Sequence, residues 1–236
     1  MRESILKIFT KYCALVSTMF QQRNPADAGI RFVQYLKEQI KISDLTGPES
    51  LFKSSYESYT EEYSLFKEPE LTVSVVDSMF DKITQDTIQT ISLQDRIILI
   101  LLLTDYFYNT ISYKKEDLYY LEAACIRLGM SAAEFNDLCL FVAEKDIQDG
   151  GTNILVCRPK SADRIEELEG SWIESNLPGE YKSGNEIEIE ELSSAINILF
   201  LERSKLFVLK CLGNEELMIE GSNISICKFK ILEPGS

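Results

Sequence analysis

The first 150 positions of the chain place apolar residues at intervals of three and four, which is the spacing of amphipathic α-helices. One such stripe occupies Ile5–Phe20, and a second begins at Asn24-Pro25, where an N-cap residue precedes a proline at the first helical position. The run Ile97–Leu103 is apolar throughout. It predicts a helix that is buried on all sides.

Short local signals predict where several of these helices begin and end. Ser92 with Asp95, and Ser131 with Glu134, have the spacing of capping boxes, in which a hydroxyl and a carboxylate satisfy each other's backbone N–H groups. Gly129 separates two helical stripes and predicts a left-handed helix end. Residues 1–150 are therefore predicted to form an all-helical domain.

Past Gly150-Gly151 the period of the apolar positions changes to two. The segments with this period are short and rich in β-branched and aromatic residues: NILVCR, GSWIES, NEIEIEEL, INILFLER, KLFVLKCL, ELMIEG and CKFKILE. Glu202–Lys205 predicts a hairpin turn. Residues 152–236 are therefore predicted to form a small, mainly antiparallel β sandwich or barrel, and the fold class is α+β with two domains.

The charge and the motifs present narrow the classes of function. The net charge is −14, and no run of five or more basic residues occurs, so nucleic acid is not the expected partner. The chain contains no histidine, which removes Ser-His-Asp and Cys-His nucleophiles. Neither GxxxxGK nor GxGxxG occurs. These residues are expected to have no enzymatic activity and to bind no cofactor.

Cysteine spacing and hydropathy indicate the compartment. The six cysteines form no CxxC pair, which favours buried free thiols in a reducing compartment over an extracellular disulfide framework. No small-residue cleavage site follows the N-terminal stretch. The longest apolar run is far shorter than the ~20 residues that span a bilayer. A cytoplasmic protein that does not span a membrane is expected.

The stretch LLLTDYFYNTISYKKED, followed by IRLGMSAAEF, has a recognisable order of features. An apolar helix runs into a short polar loop, then Ile111-Ser112, a helix with the early Glu116, and the turn Leu128–Ser131. This order resembles the second half of TerB-like domains, the helical module named after a bacterial tellurite-resistance protein. The resemblance implies a helical module that binds a partner or a metal.

The resemblance implies a candidate divalent-metal site. Family members with clustered acids are thought to bind metal, and the acidic residues here are Asp105, Glu116 and Asp117. The chain departs from the family pattern, with Tyr108-Asn109 where Asp-Gly would fall and Lys115 where the glutamate would fall. The alternative is that Asp105 and its neighbours form loop hydrogen bonds and helix caps.

Aromatic residues are concentrated in the same stretch. Tyrosine is enriched at protein interfaces, so a docking surface for a protein partner is predicted at Tyr106, Tyr108, Tyr113 and Tyr120. The alternative is that Phe107, Tyr119 and some of their neighbours fill the core between helices.

The segment from Lys205 to Ser236 also resembles the region that links a TerB-like head to the nucleotide-binding part of some large bacterial ABC-type ATPases. This resemblance implies a sensing or docking accessory module at the N-terminus of such an ATPase, whose catalytic domain would act in cis. The alternative is a stand-alone, divalent-metal-binding stress-response protein of the tellurite-resistance type. An enzyme with a carboxylate base between the domains is a third possibility that no motif supports.

Overall fold

A computed structural model of the chain describes residues 2–20, 25–64, 69–111, 118–143, 153–159, 185–189, 195–211, 224–226 and 229–232. Helices and one small sheet confirm the α+β class. The contacts divide the chain into two compact units, Met1–Phe135 and Asn136–Ser236, which we call the helical unit and the sheet unit. The boundary predicted at 150–152 lies outside the described residues.

The helices of the described residues follow the predicted stripes. A π-helical turn, Leu36–Ile40, extends the second helix and ends at Lys41, whose φ of 57° is left-handed. The α-helices are α1 Glu3–Phe20, α2 Pro25–Tyr35, α3 Thr46–Ser64, α4 Pro69–Thr90, α5 Leu93–Thr110, α6 Leu118–Arg127 and α7 Ala132–Ala143.

The helix α5 lies at the centre of the helical unit. Every side chain from Ile97 to Phe107 is buried, so the prediction of a helix buried on all sides is confirmed. Around it, α1 contributes large buried residues such as Phe9 and Tyr12. The burial of so many apolar side chains along one axis accounts for much of the stability of this unit, at ~1.5–3 kcal/mol for each large side chain.

The predicted helix boundaries around α5, α6 and α7 are confirmed by hydrogen bonds. The Ser92 hydroxyl accepts from the Asp95 backbone N–H at 3.2 Å. The Ser131 hydroxyl accepts from the Glu134 N–H at 3.2 Å, and the Glu134 carboxylate accepts from the Ser131 N–H at 2.8 Å. Gly129 has φ 111°, the left-handed conformation that ends α6.

Six strands of the sheet unit form one sheet in the order β2-β1-β3-β4-β6-β5. The β1–β2 pair is parallel, and the other described pairs are antiparallel. The predicted turn at Glu202–Lys205 joins β3 to β4. The predicted strands GSWIES and ELMIEG lie outside the described residues. The strands are β1 Ile154–Pro159, β2 Asn185–Ile189, β3 Ile196–Leu201, β4 Leu206–Cys211, β5 Ile224–Ile226 and β6 Phe229–Leu232.

One buried cation links the sheet to the end of α7 within the sheet unit. Lys210 is 5% exposed, and its Nζ donates to the carbonyl oxygens of Phe141 at 2.8 Å and Val142 at 3.0 Å. These carbonyls belong to the last described turn of α7, and carbonyls at a helix end need donors from outside the helix. A positive charge at this end also complements the helix dipole. Nearby, the rings of Phe141 and Phe229 lie 5.9 Å apart.

Candidate functional site

A groove of about 780 Å³ opens between α2 and α3. Residues 41–45 join the two elements, and so short a connection makes them antiparallel neighbours. One wall comes from α2 and its π-helical extension, and the other comes from α3. We call this cavity the α2–α3 groove and define it by Gly29, Ile30, Val33, Lys37, Phe52, Lys53 and Tyr56.

Aromatic rings form the floor of the α2–α3 groove. The rings of Phe32 and Phe52 stack with centroids 4.4 Å apart, and the Tyr56 ring lies 6.0 Å from that of Phe52. Phe32 also contacts the core edge to face, with its ring 6.2 Å from that of Tyr106. Because these rings are buried against one another, the floor is rigid and formed in advance of any binding.

The rim of the groove exposes apolar surface. Ile30 is 64% exposed, although it lies in the middle of a helix whose other face is fully buried. Gly29 lies beside it, and a Cβ built at Gly29 would meet no atom within 4 Å. The packing of the helical unit therefore does not require a glycine at this position, and the missing side chain leaves the backbone of α2 open to the groove.

Two cations lie on opposite walls of the groove. Lys37 and Lys53 are exposed, and among the described residues neither takes part in an ion pair. The carboxylate of Glu38 accepts a hydrogen bond of 2.9 Å from the Gln34 side-chain amide. Glu38 and Glu49 are close in sequence to the loop that joins the helices, whereas Lys53 lies one helical turn farther along α3.

Of the three predicted metal ligands, Asp105 is the one that the structure describes. It is fully buried in α5, and its carboxylate accepts hydrogen bonds from Tyr35 Oη at 2.8 Å and Asn109 Nδ2 at 2.9 Å. These hydrogen bonds lie inside a buried helix, so they differ from the loop contacts and helix caps that were the alternative to metal binding. Glu116 and Asp117 lie outside the described residues, and no group of three potential metal ligands occurs within the residues described.

The predicted docking tyrosines have different environments. Tyr106 is fully buried, with its hydroxyl 3.0 Å from that of Ser17, and burial raises its pKa well above the usual value. It belongs to the core rather than to a surface. Tyr108 and Tyr120 are half-buried, and Tyr113 lies outside the described residues. A docking surface built from Tyr108, Tyr113 and Tyr120 stays a prediction.

One part of the alternative prediction, that Phe107, Tyr119 and some of their neighbours fill the core, does not fit the surface of α6. Tyr119 is 60% exposed, so the assignment of Tyr119 to the core is wrong, whereas that of Phe107 is confirmed. Ile126 is 43% exposed on the same face of α6, two turns away.

Sequence reasoning missed the α2–α3 groove. The one local signal was Ile30, because it falls outside the stripe Ala28, Phe32, Tyr35 and Leu36 that buries α2. An apolar residue off the buried stripe, next to a glycine inside a helix, marks exposed apolar surface that folding does not explain.

No helix among the described residues is long and apolar enough to cross a membrane. Comparison of the chain with protein-family models, with curated proteins and with solved structures gives no match.

Proposed function

We propose that the chain is a non-enzymatic docking module and that its α2–α3 groove binds a protein partner. The observation that carries this proposal is the groove itself, whose rim exposes Ile30 above a floor of buried rings at Phe32 and Phe52. Concave surfaces that expose apolar side chains are where proteins bind partners and ligands.

We further propose that the module is the N-terminal head of a larger ABC-type ATPase, acting as a sensing or docking accessory region. The resemblance of Leu101–Met130 to TerB-like domains, and of the C-terminal strands to the linker of such ATPases, supports this proposal. The proposal also includes the predicted division into two domains and the predicted packing of the strands as a sandwich or barrel. The reading frame beyond Ser236 tests this proposal, because an ATPase head predicts that GxxxxGK[ST] and an ABC signature follow in the same frame.

The stand-alone metal-binding alternative has no observation in its favour among the described residues. The Asp105 carboxylate is buried and accepts hydrogen bonds from Tyr35 and Asn109, and no second predicted ligand lies among the described residues to complete a site with it. The alternative stays a prediction that rests on Glu116 and Asp117.

Site-specific photocrosslinking tests the docking function. A benzophenone amino acid replaces Ile30 in the full chain, in the organism that encodes it, and the adduct is identified by mass spectrometry. The matched control carries the same amino acid at Ile88, which is 43% exposed on α4 and does not line the groove. We expect one identified protein adduct at position 30 that is absent at position 88.

A second variant separates docking from misfolding. Gly29→Leu places a branched side chain in the groove where open space exists, so the fold is retained and the adduct at position 30 is lost. Equal adducts at positions 30 and 88, or an adduct that survives Gly29→Leu, would show that the groove is not the docking site.

A further inference from the structure

We propose that the sheet unit contains a buried water-binding site at Asn197, in the layer between the sheet and α7. This inference is independent of the proposed docking function. It is carried by a buried amide without a protein partner, by the face of the sheet on which that amide lies and by the chemistry of the groups beside it.

The side chain of Asn197 lies in the interior of the sheet unit, in the strand β3. It is 0% exposed, and neither its Oδ1 nor its Nδ2 has a hydrogen-bond partner among the residues that the structure describes. Buried polar side chains in proteins nearly always bond either a protein group or an ordered water. The two amide atoms therefore require a partner that the described part of the chain does not provide.

The strand register places this amide on the face of the sheet that packs against α7. In β3, Asn197 alternates with Leu199, which is buried on the same face. Its cross-strand partner in β4 is Lys210, and residues directly opposite each other share a face. Because the Lys210 Nζ bonds the carbonyl oxygens of Phe141 and Val142, that face is the one covered by α7.

The neighbours of Asn197 on this face cannot satisfy both amide atoms. Val156 lies opposite it in β1 and Leu199 lies next to it along β3, and both are buried apolar residues. Lys210 is polar, but an ammonium only donates hydrogen bonds and cannot accept one from Nδ2. The site is therefore a polar point in an apolar layer.

The chemistry of the amide selects water as its ligand. Oδ1 needs a donor and Nδ2 needs an acceptor. An anion would satisfy Nδ2 alone and a metal cation would satisfy Oδ1 alone, whereas a water molecule both donates and accepts. Buried waters make about three hydrogen bonds to polar groups that lack other partners, and Asn197 supplies two such atoms.

Rotating-frame NMR of the native, isotope-labelled chain tests the site without any substitution. We expect the Nδ2 protons of Asn197 to show cross-peaks to water with the sign of dipolar transfer, which is opposite to the sign that proton exchange gives. The Asn197→Leu variant assigns these peaks, because they disappear with the amide. If the Asn197 peaks show no dipolar transfer from water, the inference is wrong.

Magnetic relaxation dispersion of the water signal counts the long-lived internal waters and gives a second test. Asn197→Leu keeps a similar volume without polar atoms, so the count should fall by about one. Asn136→Leu is the matched control, since it makes the same substitution at an exposed asparagine of α7, and it should leave the count unchanged.

A second variant keeps this test decisive if Asn197→Leu does not fold. Asn197→Val introduces a β-branched residue that is favoured in strands, and cooperative unfolding in urea shows which variant retains the fold. An equal count of long-lived waters in the native chain and in a folded Asn197 variant would overturn the inference, and the docking function would stand unaffected.

Discussion

Replacing Lys210 by methionine tests the account of the sheet unit most sharply. Methionine keeps an unbranched apolar stem of similar length but removes the ammonium, which donates to Phe141 O at 2.8 Å and Val142 O at 3.0 Å. Both carbonyls end α7, and at 5% exposure of Lys210 little water is available to replace the lost donor. We therefore expect the loss of this donor to destabilise the sheet unit.

The size of the stability change caused by Lys210→Met follows from a loss of hydrogen bonding and a gain from removing a buried charge. A hydrogen bond from a charged donor is worth about 1.5–3 kcal/mol, and a cation at a helix C-terminus contributes up to about 2 kcal/mol. Removing a buried charge recovers part of its desolvation cost, which offsets some of this loss. We expect the free energy of unfolding to fall by about 2–3 kcal/mol, with the loss of the charged donor to the two carbonyls as the main cause.

Urea unfolding of the full chain, followed by circular dichroism at 222 nm, measures this change. Lys205→Met is the matched control, since Lys205 is exposed in the β3–β4 turn with its Nζ 5.8 Å from the Phe200 ring centroid, and it should cost less than about 1 kcal/mol. If Lys210→Met is as stable as the native chain, the lysine does not cap α7 and the reasoning is refuted.

Three further predictions concern the helical unit. Gly29→Ala should raise the free energy of unfolding by about 0.5–1 kcal/mol in urea, because its Cβ meets nothing; a loss of stability would show that α2 needs glycine for its own packing. Ser131→Ala should lower it by about 1 kcal/mol, because the Glu134 N–H loses its acceptor at 3.2 Å, and an unchanged midpoint would contradict the capping role. Burial raises the pKa of Tyr12 to about 12, with Tyr106 raised in the same direction. Tyrosines in the unfolded chain titrate at a pH of about 10. The contribution of the buried tyrosines to the free energy of unfolding should therefore be complete below that pH and fall as the pH rises from 10 toward 12, by at most about 1.4 kcal/mol per pH unit per tyrosine. A Tyr12→Phe variant whose stability declines equally steeply would refute the assignment of this decline to Tyr12.

The features that were predictable from the sequence are those that depend on neighbours a few positions away. The cap at Ser131 needs only a glutamate three residues later, and the end of α6 needs only a residue that tolerates a positive φ at Gly129. The burial of α5 was predictable because its apolar run leaves no polar face.

The features that the sequence did not indicate depend on pairs of distant residues. The groove floor requires Phe32 to stack on Phe52, and neither residue carries a local signal for the other. Tyr106 and Tyr119 look alike in sequence, but one faces the core from α5 and the other faces solvent from α6. The parallel β1–β2 pair was not predicted because strand periodicity fixes which residues alternate, not which strands are neighbours.

The central claim is that the α2–α3 groove docks a protein partner, and the ratio of photocrosslinked adduct at Ile30 to that at Ile88 measures it most directly. Ile30 is 64% exposed at the rim of the groove, and Ile88 is 43% exposed away from it, so both probes are open to solvent and only one lies at the groove. The account predicts an identified adduct at position 30 alone, which Gly29→Leu abolishes. Equal adducts at both positions would contradict it.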